Sequence, residues 1–245
     1  MIRLIIIVIA VIITVIETIF VFPFSRLVGL FSRRGQDLIS LRFVQFAMLE
    51  ARVISGAKIE YIGLEYLPKK GDDAVVYISN HRGFFDIIAT YPIFPDCTGF
   101  VAKKEMQTWP LIGWWMNSVY CLFLDRKDRR QGIATILKGV EYVKKGVSMW
   151  IFPEGTRSKV EGQMLPFKHG SFKLATKAGA KIVPVALNGS GKIFDDHVPI
   201  IKKGKVRVEF LPPIETKDLT ADELNELPER VHAMIEEKVK AHADI

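Results

Sequence analysis

An almost unbroken apolar segment from Leu4 to Phe24 constrains this chain more than any other feature of its sequence. Only Thr14, Glu17, Thr18 and Pro23 within it fall outside the apolar residue types. Its Leu, Ile, Val and Phe residues favour membrane insertion by roughly 5 to 10 kcal/mol, whereas one off-centre acidic residue opposes insertion by about 3 kcal/mol at most. The segment is long enough to cross a bilayer and lacks a small-residue cleavage site. We therefore expect a helix that stays attached as a membrane anchor.

A second apolar-rich stretch, Leu38 to Ile54, follows Arg26, Arg33 and Arg34. Its apolar positions 38, 41, 44 and 48 recur at helical spacing, which predicts an amphipathic helix at the membrane interface. Two arrangements fit residues 1–57. Either the first helix spans the bilayer and the arginines stay cytoplasmic, or both helices form a hairpin that dips into one leaflet. Two core helices of a soluble domain are disfavoured, because the first segment has no polar face.

The charge and the cysteines limit the partner and the compartment. A net charge of +7 predicts attraction to nucleic acid, to an acidic membrane surface or to phosphorylated substrates. Nucleic acid is disfavoured, because the aromatic residues lie mostly in apolar runs rather than among the basic ones. Cys97 and Cys121 belong to no CxxC or Cys/His cluster, so we interpret them as buried core residues of a protein in a reducing compartment.

Residues 58–245 have the composition of one α/β domain. Short β-branched or aromatic runs alternate with helical patterns, which predicts a mostly central mixed sheet flanked by helices and followed by a charged helical tail. Within that tail, Thr220 and Glu223 form a possible capping box, and Pro228 is expected to begin a second helix. The predicted strands are Lys58–Ile62, Ala74–Ser79, Gly99–Ala102, Cys121–Leu124, Ser148–Phe152, Ile182–Leu187 and Val206–Leu211, and two of the predicted helices are Gln131–Lys145 and Ser171–Ala178.

The first chemistry-bearing motif, Asn80 to Asp86, directly follows a predicted buried strand. His81 and Asp86 would lie about 140° apart on an ideal helix and could not meet there. If His81 lies in the strand-to-helix turn, which Gly83 permits, the Asp86 carboxylate can fold back onto the imidazole. The pair would then be a general-base dyad acting on a hydroxyl that the substrate supplies. A structural His–Asp pair remains the alternative, and a metal site is weaker for want of a third ligand.

The second motif, Phe152 to Ser158, also follows a predicted strand. Gly155, Thr156 and Arg157 offer backbone donors, a hydroxyl and a guanidinium group, which together suit a phosphate. A turn with a solvated ion pair is the alternative interpretation. Arg126 ends another apolar strand and is better placed to face a site than the basic residues that follow it.

The order NHRGFFD, CLFLDR, FPEGTRS and IVPVAL resembles the glycerolipid acyltransferase family, and within it the bacterial 1-acyl-glycerol-3-phosphate acyltransferases. The resemblance covers about Lys58 to Leu211. It implies that His81 and Asp86 are the catalytic dyad and that the other motif residues bind the acceptor. The implied substrate-binding residues are Lys103, which is preferred over Lys104, Arg126, Glu154, Gly155, Thr156 and Arg157.

The resemblance also implies a reaction and a location. A fatty acyl group would pass from acyl-CoA or acyl-carrier protein to the 2-hydroxyl of 1-acyl-glycerol 3-phosphate, giving phosphatidic acid, with no metal and no cofactor beyond the acyl carrier. The acceptor is a membrane lipid, so the catalytic domain is expected on the cytoplasmic face of the inner membrane. Another acceptor, such as glycerol 3-phosphate or a lysophospholipid, and a non-catalytic lipid-binding protein are the alternatives. Acyl-chain preference, the choice of donor and oligomeric state stay open.

Three details complete these expectations. Tyr120 stands where relatives usually carry glycine, three residues before Phe123. The resemblance therefore does not establish that the backbone approaches the substrate closely at this position. The fourth motif, Val183 to Val185, is expected to shape the acyl pocket. Backbone amides near Gly83 or Gly155 are the candidates for stabilising a negatively charged transition state.

Overall fold

A seven-stranded mixed sheet lies at the centre of the computed structural model, which describes residues 2–245 without the side chains of residues 2–6 and 8. The predicted α/β class is therefore confirmed, and every predicted strand overlaps an observed one. The strands are β1 (Lys58–Ile62), β2 (Val76–Ser79), β3 (Thr98–Lys103), β4 (Leu122–Leu124), β5 (Ser148–Ile151), β6 (Ile182–Asn188) and β7 (Lys205–Phe210).

The strand order is β1-β7-β6-β2-β5-β3-β4. The pairs β6–β2, β2–β5, β5–β3 and β3–β4 are all parallel, whereas β6 and β7 are antiparallel. The carboxyl ends of β2, β5, β3 and β4 consequently meet at one edge of the sheet, which we call the carboxyl edge. In α/β sheets of this kind, ligands bind outside the carboxyl ends of the strands.

Seven α-helices accompany the sheet in the described part of the chain. Side-chain caps fix the starts of three of them: Ser32 accepts a hydrogen bond from the Gly35 amide, Asp128 accepts from the amides of Arg130 and Gln131, and Thr220 accepts from the Glu223 amide. The helices are α1 (Ile2–Gly29), α2 (Arg33–Ser55), α3 (Phe85–Thr90), α4 (Ile112–Ser118), α5 (Arg129–Lys144), α6 (Lys173–Ala178) and α7 (Ala221–Ala241).

Helix α7 contains the predicted capping box, with Thr220 and Glu223 bonded reciprocally. The prediction of a second helix beginning at Pro228 is wrong, because α7 continues through this residue. A proline inside a helix costs about 3 kcal/mol or more. Burial of one large apolar side chain contributes about 1.5 to 3 kcal/mol, so burial of several outweighs that cost. The side chains concerned are Leu227, Val231, Ile235 and Val239, all at most 1% exposed.

Two apolar clusters cover the two faces of the sheet. Alternation along β2 assigns its side chains to opposite clusters: Tyr77 enters an aromatic cluster with Phe100 and Trp150, whereas Val76 and Ile78 face the cluster beneath α5, α6 and α7. Both cysteines are buried and free, in agreement with their interpretation as core residues.

Helix α1 is the one described helix that is long and apolar enough to cross a membrane, over Ile9–Gly29. Part of it nevertheless packs on the α/β domain. Thr18 is buried and accepts a hydrogen bond of 3.1 Å from Nε1 of Trp115, and Ser25 is fully buried. Ile9, Phe20 and other apolar side chains of the same helix remain exposed. One side of α1 thus belongs to the domain core, and the other sides remain apolar and open.

Helix α2 forms as predicted, but the middle of its predicted apolar face does not point outward. Leu41 and Val44 are buried in the aromatic cluster that α2 shares with the sheet. The two-helix membrane anchor is therefore not confirmed, because the spacing of apolar residues marks a buried face without saying what buries it. Leu38, the first residue of the predicted face, is exposed and forms an apolar stripe on α2 with Phe46, Leu49 and Val53.

Candidate active site

The loops that carry the first two motifs lie side by side at the carboxyl edge. Residues 80–86 follow β2 and residues 152–158 follow β5, its parallel neighbour. Two hydrogen bonds of 2.8 Å join the loops: the Ser158 amide donates to the His81 carbonyl, and the His81 amide donates to Oε1 of Glu154. Residues that are far apart in sequence are thereby held in one rigid unit around His81.

The structure brings His81 and Asp86 together. His81 lies in the turn after β2 and Asp86 in the first turn of α3, so the carboxylate reaches back to the ring, and Nδ1 lies 2.7 Å from Oδ2. The same Oδ2 accepts hydrogen bonds from the amides of Arg82 and Gly83, at 2.8 and 3.0 Å. Because backbone amides already donate to this fully buried carboxylate, Asp86 acts as an acceptor, and the imidazole donates to it from Nδ1.

The other ring nitrogen of His81, Nε2, has no hydrogen-bond partner among the described residues. The ring stacks on Phe152 with centroids 4.0 Å apart, and its side chain is 14% exposed. Stacking and the Nδ1 bond fix the plane of the ring while leaving Nε2 accessible. Such an imidazole can take a proton from a hydroxyl group that approaches this edge.

Glu154 lies behind His81 rather than beside open solvent. Its side chain is buried, and its two oxygens accept hydrogen bonds from the amides of His81 and Leu165, at 2.8 and 2.9 Å. Burial raises the pKa of this carboxyl to about 7, although the two amide bonds favour the charged form. In this geometry Glu154 anchors the backbone of His81.

Arg157 reaches across the surface of the first motif. Its Nη1 donates to Oδ1 of Asp195 at 2.8 Å, and its guanidinium carbon lies 4.1 Å from the centroid of the Phe84 ring. Asp195 also accepts from the Phe84 amide at 2.9 Å, and burial raises the pKa of this carboxyl. Arg157 is 39% exposed, so part of its guanidinium fork remains open to an anion.

Gly155 adopts a left-handed conformation with φ +71°, which only glycine adopts readily. A Cβ atom at this position would lie 2.6 Å from Nζ of Lys168. The missing side chain therefore lets the Lys168 ammonium rest on the loop beside the exposed Thr156. Sequence reasoning missed Lys168, because it lies 13 positions beyond Gly155 and in none of the recognised motifs.

Lys103 and Arg126 lie at the same edge but farther out. Lys103 ends β3, Arg126 follows β4, both are exposed, and neither contacts the His81–Asp86 pair. Lys104 is bound to Asp125 at 3.1 Å, whereas Lys103 has no polar partner in the described part of the chain. The structure is therefore consistent with preferring Lys103 over Lys104 as the lysine available to a ligand.

The segment after β6 contacts the loop of the first motif through residues that belong to no motif. Ser190 donates to Oδ1 of Asp86, and Asp196 accepts two hydrogen bonds from the buried guanidinium group of Arg82, at 2.8 and 2.9 Å. These partners are more than 100 positions apart in sequence. No local pattern could have signalled them, since only the sheet order places β6 beside β2.

One of the sequence-based details needs correction, and another becomes more specific. Tyr120 precedes β4 at the opposite edge of the sheet, away from His81, so its presence in place of glycine does not affect backbone approach at the dyad. Its left-handed φ of 65° is held by a hydrogen bond of 2.8 Å from its hydroxyl to Asp37. The amides of Gly83 and Gly155 are both occupied, by Asp86 and by the Phe152 carbonyl. The amides of Thr156 and Arg157, near Gly155, donate to no described residue, so the expectation of an amide near Gly155 stays a prediction.

The fourth motif lies inside the sheet. Val183, Pro184 and Val185 belong to β6, whose seven residues are all buried between β2 and β7. Their contacts are those of a central strand that positions the neighbouring β2 and its loop. A role in shaping an acyl pocket stays a prediction.

His81 and the buried Asp86 thus form a hydrogen-bonded pair beside a basic loop at the carboxyl edge, an arrangement that can transfer a proton. The family model described as Acyltransferase matches residues 58–188, which hold the dyad and all the predicted binding residues. The chain belongs to the acyltransferase family, and the prediction of an enzyme of this class is confirmed.

Relatives and a solved structure agree with this assignment. The 1-acyl-sn-glycerol-3-phosphate acyltransferase of Escherichia coli is 34% identical over 237 residues, which cover 93% of this chain and 91% of that protein. The enzyme of the same name from Saccharomyces cerevisiae is 36% identical over 191 residues, 77% of this chain and only 62% of the longer yeast protein. The crystal structure of the 1-acyl-sn-glycerophosphate acyltransferase of Thermotoga maritima matches the fold with a TM-score of 0.80 at 23% identity, covering 98% of this chain and 95% of that one.

Proposed function

We propose that this protein transfers a fatty acyl group to the 2-hydroxyl of 1-acyl-glycerol 3-phosphate and so forms phosphatidic acid. The observation that carries the proposal is the imidazole of His81, held by Asp86 at Nδ1 and open at Nε2, beside the basic loop of Arg157. The names of the relatives from Escherichia coli and yeast support the acceptor. The donor is acyl-CoA or acyl-carrier protein, since a thioester carries an acyl group activated for attack by a hydroxyl.

The transfer needs only one group that both takes and returns a proton. Nε2 of His81 removes the proton of the 2-hydroxyl while the oxygen attacks the thioester carbonyl carbon. The tetrahedral intermediate then collapses, the carbon–sulfur bond breaks, and the imidazolium proton passes to the departing thiolate. Asp86 stabilises the imidazolium that exists between these two steps. General-base assistance of this kind contributes roughly 10² to 10⁴ to the rate.

The transition state also needs donors for the carbonyl oxygen. The amides of Thr156 and Arg157 donate to no described residue. They lie in the loop that is bonded to the His81 backbone, so their distance from the imidazole is fixed. We assign these two amides, which directly follow Gly155 in the chain, to this task.

The acceptor phosphate would bind at the basic groups of the carboxyl edge. Arg157 lies closest to the dyad, Thr156 and Gly155 present a hydroxyl and an open backbone, and Lys103 and Arg126 extend the positive surface outward. Glu154 supports this loop from behind through its two amide bonds and does not touch the phosphate.

The apolar surfaces of α1 and α2 would hold the site at the membrane that contains the acceptor. The exposed sides of α1 and the stripe of Leu38, Phe46, Leu49 and Val53 on α2 are apolar, whereas Thr18 and Ser25 turn toward the domain. This arrangement favours residues 1–57 as a two-helix hairpin set into one leaflet, with the domain of residues 58–245 at the cytoplasmic face. The net charge of +7 would concentrate anionic lipids and donors there.

His81→Ala tests the proposal directly. We expect a folded, membrane-bound protein whose acyl transfer to 1-acyl-glycerol 3-phosphate falls by about 10² to 10⁴, measured with the purified protein in lipid vesicles and an acyl-CoA donor. His169→Ala is the matched control, because His169 is exposed and pairs only with Glu229. Activity of the His81→Ala variant above a few per cent of the control would contradict the dyad assignment.

The acceptor is tested in the same assay. Glycerol 3-phosphate and a lysophospholipid whose phosphate is blocked replace 1-acyl-glycerol 3-phosphate at equal concentration. We expect a clear preference for 1-acyl-glycerol 3-phosphate, because it has both a free phosphate for the basic loop and an acyl chain for the apolar surface. A preference for either substitute would redirect the proposal to that acceptor while leaving the chemistry unchanged.

A further inference from the structure

The side-chain network around the dyad includes Ser190, which lies outside every recognised motif. Ser190 is fully buried, follows β6 and donates its hydroxyl hydrogen bond to Oδ1 of Asp86. The other oxygen of that carboxylate, Oδ2, accepts from His81 and from two backbone amides. Among the described residues, Ser190 is the one partner of Oδ1.

Both oxygens must be held if the carboxylate is to point at the imidazole. The amides of Arg82 and Gly83 come from the loop that also carries Asp86, so they fix Oδ2 only relative to their own loop. Ser190 comes from the segment that directly follows β6 and fixes Oδ1 relative to the sheet. Two anchored oxygens define the carboxylate plane, and that plane sets the direction of the His81 hydrogen bond.

The neighbours of Ser190 secure the same loop. Asp195 accepts from the Phe84 amide, and Asp196 accepts from the guanidinium of Arg82. The segment Ser190–Asp196 therefore forms hydrogen bonds with residues 82, 84 and 86. These three contacts fix the position of the segment relative to the dyad.

We propose that Ser190 is a positioning residue of the acyl transfer, which holds the Asp86 carboxylate in the plane that orients the His81 imidazole. The proposal rests on the proposed function of the dyad. It adds a third residue that does not touch the substrate and acts through Asp86.

Ser190→Ala should lower kcat by roughly 10- to 100-fold, because a hydrogen bond to a buried charged group is lost, and should leave KM for acceptor and donor within about twofold. The acid limb of the pH profile of kcat/KM should move to higher pH. A buried carboxylate with one donor fewer binds the proton of the imidazolium more tightly, so the base becomes protonated earlier as pH falls.

The charged groups that face the dyad from packed elements stay the same in this variant. They are Glu154 from the loop after β5, Arg82 on the dyad loop with its partners Asp196 and Glu161, and Asp195 with Arg157. A shift in the acid limb of the kcat/KM profile would therefore result from the loss of the Ser190 hydroxyl.

Two further variants separate positioning from folding. Ser190→Thr retains the hydroxyl and should keep kcat within about threefold of wild type. Ser118→Ala removes another buried serine hydroxyl, which donates within α4 to the Trp114 carbonyl, and should change neither kcat nor the pH profile. Thermal unfolding in the same vesicles checks that all three variants are folded.

Unchanged kcat and an unchanged acid limb in Ser190→Ala would overturn the proposal, as would an equal loss in Ser190→Ala and Ser190→Thr. The His81→Ala variant keeps this result separate from the proposed function. If His81→Ala is inactive while Ser190→Ala is fully active, the dyad stands and only the role of Ser190 fails. If His81→Ala is active, the dyad itself fails.

Discussion

The inner and outer halves of the carboxyl edge differ in almost every physical respect. In the inner half, Asp86 and Glu154 are buried, and each of their oxygens accepts at least one hydrogen bond. In the outer half, the side chains of Lys103 and Arg126 are exposed and form no hydrogen bond or ion pair with described residues. Proton transfer needs an imidazole fixed to within a fraction of an ångström, whereas capture of an anionic headgroup needs positive charge within reach.

This difference predicts how substitutions divide between the two halves. A change in the inner half should lower kcat or stability, because it removes a partner from a buried hydrogen-bond network in which every carboxylate oxygen is bonded. A change in the outer half should raise KM for the acceptor and leave folding intact, because the side chains concerned are solvated.

Asp86→Asn should have the largest effect. A carboxamide that turns its NH₂ toward Nδ1 of His81 forces the proton onto Nε2, and the base is lost, so kcat should fall about 10²- to 10⁴-fold. Asp195→Asn is the matched comparison, since it makes the same substitution on the partner of Arg157 and should act mainly on KM. Steady-state kinetics on both variants check this, and a kcat of Asp86→Asn above a tenth of wild type would contradict it.

Glu154→Gln should change the pH dependence of stability. The carboxyl has a pKa of about 7 in the folded protein against 4.5 in the unfolded chain, so the folded state holds more protons between these values. The free energy of unfolding should consequently fall by about 1 to 3 kcal/mol as pH rises from 4.5 to 7. The glutamine variant cannot titrate and should lack this slope.

Denaturant unfolding at a series of pH values measures the difference between Glu154→Gln and wild type. Other titrating groups are common to both proteins and cancel in the difference. If the free energy of unfolding of the two proteins depended on pH in the same way, Glu154 would be charged throughout the pH range. Water would then reach the inner half more than its burial suggests.

Lys103→Ala and Lys104→Ala should give the smallest effects and the sharpest contrast within the outer half. Loss of the unpaired Lys103 should raise KM for the acceptor several-fold, equivalent to about 1 kcal/mol. Loss of Lys104, whose ammonium already pairs with Asp125 on the surface, should change KM less than twofold. Initial rates at varied acceptor concentration distinguish the two variants, and equal effects would remove Lys103 from the predicted site.

The sequence was most informative where the signal is local. The β-branched and aromatic runs predicted all seven strands, because such residues suit the pleated surface of central and edge strands alike. The spacing of His81 and Asp86 predicted a contact that the strand-to-helix turn then makes. Local spacing failed at α2, where the face with residues 41 and 44 proved to be buried by the domain, and at Pro228, where burial of a whole helix face outweighs a single unfavourable residue.

The sequence by itself determined the fold class, the family motifs, the residues of the dyad and the presence of an apolar N-terminal helix. Only the tertiary structure decided that Glu154 supports the His81 backbone, that Arg157 pairs with Asp195, and that Ser190 completes the hydrogen bonding of Asp86. The physical reason is the order of the strands. The chemistry of a side chain can be read from its own position in the sequence, but the partners of a buried charge come from the strands that lie beside it. Here β6 and β5 flank β2 although they are remote from it in sequence.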